Sequence, residues 1–515
     1  MHNDSTDQSE ARESVSRNLG NRVFDAAIWM TGAQILARFS GSIKIIALAA
    51  ILPQHQLGLF GIALIVLQLI ERLSETGMRQ ALIQSPGKVG PTEMGTAWVS
   101  QIFRGLLLAL CLFFSADSAE TFFEKPGVSL LLTWLAIVPL IQGFNNVGVI
   151  YLNRELRFRK IVLLGLASTI IDIIFAIGFT CFLPTAIALV YAKICATALA
   201  VALTFVIDSR WARFRFSYRS FRDLYAFGFW IFVSSILSFT MIRGGDLVIG
   251  KLLTATDLSI YQVAYSLACI PVMGIMSVFS STTFPAFSHL QDQSDRLAAA
   301  FLRVFSITSF LAILSVVGLI VTGKDFISLC FRPEYSQVTM LLPALAVWGG
   351  CRAMGTANSV IFQAIGRPAI ATVFQFFMVA LFAFVLIPIT SSYGMIGLAY
   401  SLAGIGVLAQ LGRYVVIARV LKIRFSDLAI RVLAPIGLAL FVWIIASAAM
   451  VPIDTELNLF RFLTGLVFVL STYGIGSILI DGRLTFGLLT FVENRLPLKV
   501  SNFVNRISNL AHSSR

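Results

Sequence analysis

Five polar residues follow one another at helical spacing inside a long apolar stretch of this chain. Gln68, Glu71, Arg72, Glu75 and Arg79 are three, one, three and four positions apart, which places them on one face of a helix. The opposite face is apolar. Because a charged side chain exposed to hydrocarbon is costly, the polar face must contact protein or water. Two interpretations remain open: a structural charge network between helices, or the lining of a hydrated cavity.

Further ionisable residues lie deep within other apolar stretches. Such residues usually line a water-filled path or pair with one another, so each is a candidate for binding. The deep cations outnumber the deep anions, and a net positive cavity suits an anionic ligand. Guanidinium groups bind phosphate particularly well. The deep cations are Arg38, Arg104, Lys193 and Arg352, and the deep anions are Glu71 and Asp172. Arg243 and Asp246 lie three positions apart and could pair with each other.

The elements that carry these residues are predicted to be membrane-spanning helices. The chain has 515 residues, of which 57% are hydrophobic and 13% charged, against about 25% charged residues in soluble domains. A spanning helix needs about 20 mostly apolar residues, and about 14 such stretches fill nearly the whole chain. We therefore predict an all-α integral membrane protein with spans near 24–50, 57–82, 94–115, 127–150, 161–183, 185–207, 224–249, 257–282, 299–322, 335–363, 369–390, 393–418, 428–451 and 460–480.

Basic residues alternate between the two sides of this arrangement. The net charge is +13, and Lys and Arg concentrate in the two tails and in every second loop, including 154–160, 210–222 and 419–424. By the positive-inside rule these loops and both termini are cytoplasmic. The C-terminal tail also carries an apolar face at helical spacing, from Val500 to Leu510. That pattern predicts an amphipathic helix in the cytoplasmic membrane interface.

An internal repeat relates the two halves of the chain. Residues 51–63 align with residues 252–264, in each case at the end of one predicted span and the start of the next. Six spans separate the copies, so both halves enter the membrane in the same direction. Parallel repeats of this kind are related by an axis along the membrane normal, and substrate sites in such folds lie between the halves near the midplane.

Catalytic and metal-binding signatures are missing from the sequence. The six cysteines and four histidines show no metal-ligand spacing. There is no phosphate-binding G-x-x-x-x-G-K-[ST] loop and no H-E-x-x-H motif. We therefore expect no cofactor and no metal, and we expect a transporter rather than an enzyme.

Several segments together resemble the polysaccharide flippase branch of the multidrug, oligosaccharidyl-lipid and polysaccharide exporter superfamily. Within 244–297, an Asp precedes an Ile-Gly pair, a Tyr-containing turn and a Phe-Pro-Ala segment, although Ser259 replaces the usual turn glycine. Residues 57–84, the YLNRELRFRK loop and FQAIGRP at 362–368 also resemble that family. The matching residues of the first segment are Asp246, Ile249, Gly250, Leu258, Tyr261, Tyr265, Pro271, Phe284, Pro285 and Ala286.

The resemblance implies two six-helix lobes around a central cavity, with two extra helices. It also implies a flippase that moves a polyprenyl-pyrophosphate-linked oligosaccharide from the inner to the outer leaflet of the bacterial inner membrane by alternating access. Membrane lipids, and possible contacts with a polysaccharide polymerase and a chain-length regulator, are the implied partners. The predicted domains are a cytoplasmic tail (1–22), an N-terminal lobe (23–210), a C-terminal lobe (211–425), two extra helices (426–482) and a cytoplasmic amphipathic tail (483–515).

On this hypothesis the ionisable residues divide into two roles. Cations would contact the headgroup phosphates, and acids would couple transport to protons or sodium. An ion-coupled multidrug exporter of the same superfamily is the main alternative, although the excess of arginine argues against its often cationic substrates. A glycan polymerase or ligase is a third possibility, which the short outer loops disfavour. The substrate-binding candidates are Arg38, Arg72, Arg104, Lys193, Arg243 and Arg352, and the ion-coupling candidates are Glu71, Glu75, Asp172 and Asp246.

Overall fold

The regular structure is helical throughout the described part of the chain, as the all-α prediction requires. The helices group into two compact units, Met1–Phe239 and Thr240–Arg515. Each unit is considered by itself below. The computed structural model describes residues 40–41, 43–74, 90–155, 157–208, 214–215, 217, 228–291, 293–450 and 458–484.

In the first unit, the predicted fourth span is broken into short helices. The first break falls at Ala136, directly after Leu135. Pro139 lies four positions beyond Leu135, and a proline ring clashes with the carbonyl group at that distance. The helices of this unit are α1 (residues 43–51), α2 (Gln54–Leu73), α3 (Pro91–Phe123), α4 (Val128–Leu135), α5 (Ile137–Gly143), α6 (Val149–Arg154), α7 (Phe158–Phe182) and α8 (Ala186–Ile207).

The second unit begins within a helix and contains the longest helical run. That run, α13, is interrupted at Gly394, whose φ of 64° and ψ of −154° are not helical. A positive φ favours glycine, which has no Cβ. The break separates the predicted eleventh and twelfth spans. The helices are α9 (Gly228–Leu252), α10 (Ala255–His289), α11 (Ser294–Cys330), α12 (Val338–Ala364), α13 (Pro368–Val420), α14 (Phe425–Met450) and α15 (Asn458–Leu484), with a short 3-10 helix at Pro333–Gln337.

The lengths and composition of these helices make the chain a multi-pass membrane protein. Within the described residues, 9 helices are long and apolar enough to cross a membrane, and α4 with α5 forms a shorter apolar segment, Val128–Gly143. The interrupted α13 accounts for two of the predicted spans. Every other predicted span also contains described helical residues.

The repeat predicted from sequence has the same local geometry in both copies. Pro53 precedes α2, and Thr254 occupies the aligned position before α10; both have extended backbone angles. Thr254 also accepts a hydrogen bond from the Asp257 backbone in a capping box. The next aligned residues, 57–60 and 258–261, are buried in both copies. The two units therefore share a helix–turn–helix connection at the aligned position.

The last two helices both pack against α11. The Tyr473 hydroxyl of α15 donates a hydrogen bond of 3.1 Å to the Phe310 carbonyl of α11. An ion pair of 3.4 Å joins Arg461 of α15 to Asp325 of α11. The buried apolar residues of this seam are Phe310, Ile313, Val317, Leu438, Val442, Val469 and Tyr473.

Several predicted features lie outside the described residues. These are the candidate residues Arg38 and Glu75, the N-terminal tail, and the amphipathic helix between Val500 and Leu510. The predicted domain boundaries and the rotational relation between the lobes also stay predictions.

Candidate functional site

Asp172 joins three helices of the first unit through its carboxylate. Lys44 of α1 places its Nζ 2.6 Å from Oδ2, and Lys193 of α8 places its Nζ 3.4 Å from Oδ1. The Asp172 side chain is 24% exposed. Because charges within a membrane span are stabilised by pairing, this triad lowers the cost of all three. Lys193, a candidate substrate contact, is thus the partner of a candidate coupling residue.

Glu71 continues this arrangement in the last turn of α2. Its Oε1 is buried and has no hydrogen-bond partner among the residues that the structure describes. The positive charges of Lys193 and Arg104 act on its carboxylate. We call the group Lys44, Glu71, Arg104, Asp172 and Lys193 the first charge cluster. It holds three cations and two anions, so it keeps a net positive charge.

Arg104 of α3 binds the C-terminal end of α2. Its Nε donates a hydrogen bond of 2.9 Å to the Ser74 hydroxyl, and its Nη2 donates one of 3.0 Å to the Glu71 carbonyl. Carbonyl groups in the last turn of a helix have no partner within the helix, and a cation there also stabilises the helix dipole. Arg104 therefore positions the turn that carries Glu71.

Two glycines allow α3 to lie close to α5. A Cβ on Gly105 would lie 2.6 Å from the Pro139 carbonyl oxygen and 3.0 Å from the Cα of Gly143. Beside this contact, the Gln101 amide nitrogen lies 3.2–3.3 Å from the carbonyl oxygens of Gln142 and Gly143. The broken fourth span is thus fixed against the helix that carries Arg104.

In the second unit, Arg243 and Asp246 pair within α9. The Arg243 Nη1 lies 3.1 Å from the Asp246 Oδ2, and the two residues are three positions apart. The Asp246 side chain is only 4% exposed. Their pairing, one of the two readings of the sequence, is therefore the arrangement in the structure. It neutralises a buried carboxylate locally.

Arg352 of α12 has a neutral partner instead. Its Nη1 donates a hydrogen bond of 2.6 Å to the Tyr265 hydroxyl of α10. The Tyr261 and Tyr265 rings have centroids 5.8 Å apart. In the described part of the chain, no carboxylate forms an ion pair with Arg352. We call Arg243, Asp246, Tyr261, Tyr265 and Arg352 the second polar cluster. Within this cluster, Asp246 balances the charge of Arg243, whereas no carboxylate balances the charge of Arg352.

A further polar group lies between α12 and α13. The Asn358 amide donates a hydrogen bond of 3.2 Å to the Gln410 Oε1, and the Gln410 amide donates to the Cys351 carbonyl. The Arg413 Nη1 lies 3.4 Å from the same Gln410 oxygen, and its guanidinium lies 5.9 Å from the Phe374 ring centroid. A cation over an aromatic face is stabilised by the ring quadrupole.

Sequence reasoning missed two important partners. Lys44 was not among the candidate residues, yet its contact with Asp172 is shorter than that of Lys193. Tyr265 was noted only as part of the family resemblance. The four-residue spacing of Tyr261 and Tyr265 in a predicted span was the available signal. Arg72, another candidate contact, is exposed in the last turn of α2.

Curated proteins from several bacteria are similar to this chain over most of its length. The lipopolysaccharide biosynthesis protein WzxC of Escherichia coli (strain K12) is 24% identical over 373 residues, which cover 71% of this chain and 74% of that protein. The teichuronic acid biosynthesis protein TuaB of Bacillus subtilis (strain 168) is 22% identical, over 68% of this chain and 73% of that protein.

Solved structures share the fold. The lipid II flippase MurJ, in an inward closed conformation, matches with a TM-score of 0.71 and 15% identity, over 89% of this chain and all of that one. An inward-facing multidrug resistance transporter of the MATE family matches with a TM-score of 0.61 and 15% identity, over 78% of this chain and 99% of that one. The helices therefore have the fold that these transporters share.

A family model described as a polysaccharide biosynthesis protein matches residues 47–339. The match includes the first charge cluster apart from Lys44, and it includes all of the second polar cluster except Arg352. It spans more than half of the sequence, and the chain therefore belongs to the polysaccharide biosynthesis protein family.

Proposed function

We propose that this chain is a flippase for polysaccharide biosynthesis. It moves a polyprenyl-pyrophosphate-linked oligosaccharide from the inner to the outer leaflet of the bacterial inner membrane. The observation that carries the proposal is the family match over residues 47–339. Relatives named for lipopolysaccharide and teichuronic acid biosynthesis support it, as does the fold shared with a lipid II flippase.

Arg352 is the described residue that best fits a phosphate contact. Lys193 and Arg243 each have a carboxylate partner, whereas Arg352 is held by an uncharged hydroxyl. Its guanidinium keeps a full positive charge that a headgroup phosphate can neutralise. Arg38 is proposed as a phosphate contact from the sequence. Arg104 acts indirectly, because its hydrogen bonds position the last turn of α2.

The transport cycle is alternating access, in which the binding residues face the cytoplasm and the outside in turn. Moving one negative charge outward across an interior-negative membrane gains about 2.3 kcal/mol per 100 mV. A pyrophosphate carries more than one charge, so no nucleotide hydrolysis is required. Asp172 is the leading candidate for ion coupling. A proton on its carboxylate would leave the ammonium groups of Lys44 and Lys193 without their anion, which links proton binding to the packing of α1, α7 and α8.

The remaining proposals are supported by the sequence and by the relatives. The chain acts as a transporter without catalysis, in the inner membrane and with both termini cytoplasmic. Glu71, Glu75 and Asp246 are further coupling candidates. A polysaccharide polymerase and a chain-length regulator are its proposed partners in the membrane.

The test is to delete the gene in its native host and locate the lipid-linked oligosaccharide. We expect loss of surface polysaccharide and accumulation of the intermediate in the inner leaflet, where a glycosidase added to spheroplasts cannot reach it. Accumulation in the outer leaflet would indicate a polymerase instead. Normal polysaccharide with new sensitivity to cationic drugs would indicate the multidrug exporter.

A residue-level test uses the same strain. Arg352→Ala is expected to lower export strongly while the protein still inserts in the membrane, and Arg38→Ala is expected to do the same. Arg303→Ala, which removes an exposed arginine of α11, is the matched control and should leave export unchanged. Normal export by both Arg352→Ala and Arg38→Ala would refute the phosphate-contact assignment without refuting the flippase.

A further inference from the structure

An apolar groove opens on the surface of the second unit between α13 and α14. It has a volume of about 580 Å³ and reaches inward to α11 and α12, within the usual range of ligand pockets, about 300–1,000 Å³. Ile320 and Met354 form part of its wall, whereas Val407, Leu433 and Trp443 at its mouth are 43%, 64% and 46% exposed. The groove exists because α14 packs on α11 and leaves a gap beside α13. In a bilayer, its mouth faces hydrocarbon.

The groove is about as tall as one leaflet. Its lining on α14 runs from Val432 to Trp443, which at 1.5 Å per residue is roughly 16 Å. Half of the hydrocarbon core of a bilayer is about 15 Å thick. The groove therefore matches the length available to a lipid chain within a single leaflet.

Basic residues cluster at one end of the groove, where α13 turns into α14. Arg419, Lys422 and Arg424 are exposed at this turn. Arg431 is half-buried one turn further along α14 and donates a hydrogen bond of 3.0 Å to the Asp427 carbonyl. Asp427 is the acid in the same stretch, so this stretch carries four cations and one carboxylate. Basic clusters beside grooves between membrane helices bind anionic lipid headgroups.

We propose that this groove is a binding site for an anionic phospholipid of the bilayer. An acyl chain fills the apolar groove, and the headgroup phosphate contacts Arg419, Lys422 and Arg424. Two features favour this occupant: the basic turn complements an anionic headgroup, and the apolar lining is about as long as one leaflet is thick. No residue that lines the groove belongs to the first charge cluster or the second polar cluster, and the proposal does not depend on the flippase assignment.

The chain-binding arm of the test uses native mass spectrometry of the full-length protein with added phosphatidylglycerol. Val407→Trp fills the groove mouth from α13 and should greatly lower the population of lipid-bound protein. Leu408→Trp is the matched control, because Leu408 is 63% exposed and does not line the groove. Leu440→Trp, which fills the groove from α14, should repeat the Val407→Trp result. Equal lipid binding by all three variants would overturn the proposal.

The headgroup arm compares phosphatidylglycerol with phosphatidylcholine. The triple variant Arg419→Gln, Lys422→Gln, Arg424→Gln should reduce the preference for phosphatidylglycerol by about tenfold or more, because each basic residue contributes about 1 kcal/mol near a charged lipid. An unchanged preference would overturn the headgroup assignment. A polyprenyl phosphate is then added as a competitor. If it displaces phosphatidylglycerol, and if Val407→Trp also weakens its binding, the groove serves the transported lipid instead, which would overturn the chosen occupant.

Discussion

The first charge cluster and the second polar cluster stabilise buried charge in different ways. In the first, Asp172 bridges lysines from two other helices. In the second, Asp246 pairs with an arginine of its own helix, and Arg352 binds a tyrosine hydroxyl from another helix. The first cluster therefore ties helices together by charge. The second contains one cation, Arg352, whose described partner is an uncharged hydroxyl.

The aligned turns show where this difference begins. The repeat aligns Pro53 with Thr254. In the same alignment, Lys44 corresponds to Gly245, and Phe60 corresponds to Tyr261. A Cβ on Gly245 would clash with the Tyr261 hydroxyl. In the second unit a glycine therefore lies against a tyrosine hydroxyl. In the first unit the aligned positions carry a lysine, which pairs with Asp172, and a phenylalanine.

Asp172→Asn should have the largest effect, because it removes the anion from two lysines at once. We expect the free energy of unfolding to fall by about 2–3 kcal/mol, since an uncompensated charge in a partly buried site is costly. Thermal unfolding of the detergent-purified protein measures this. Asp246→Asn, which removes the carboxylate from a single arginine of the same helix, should cost less. A larger loss of stability with Asp246→Asn than with Asp172→Asn would contradict this ranking.

Gly245→Ala should have the next largest effect. The added methyl group would overlap the Tyr261 hydroxyl, and overpacking of this kind costs about 1–3 kcal/mol. Gly244→Ala is the matched control, because its Cβ would meet Phe382 at an ordinary 3.5 Å. Adding Tyr261→Phe, the residue type of the first unit, should restore most of the stability. If the double variant unfolds as easily as Gly245→Ala alone, the two positions are not coupled.

Tyr265→Phe should have the smallest effect on stability, about 1 kcal/mol, the typical contribution of one hydrogen bond. Its effect on export is more informative. Without the hydroxyl, the Arg352 guanidinium loses the contact that positions it, so export should fall partially, and less than with Arg352→Ala. Tyr261→Phe keeps that contact and serves as the control. Equal export by both tyrosine variants would show that the hydroxyl does not position Arg352.

The helices and the repeated turn could be predicted because their signals are local. A run of about 20 apolar residues is sufficient to indicate a span. Proline and threonine before α2 and α10 similarly mark helix starts within a few residues. The break at Ala136 is the local effect of Pro139, which lies within a predicted span.

The partners of the buried charges could not be predicted in the same way. Lys44 and Asp172 are 128 positions apart, and their contact depends on how α1 and α7 pack. Helical spacing places Arg104 deep in a span but does not reveal that it binds the last turn of α2. By contrast, Arg243 and Asp246 are three positions apart, and spacing alone suggested their pairing.

The hydrogen bond from Tyr473 to Phe310 also bears on how the protein is made. Its two residues are 163 positions apart. At about 5–20 residues per second, a ribosome needs roughly ten to thirty seconds to synthesise the intervening chain. The apolar seam between α11, α14 and α15 can close only after all three helices have been synthesised. The packing of α11 is therefore completed late in synthesis of the chain.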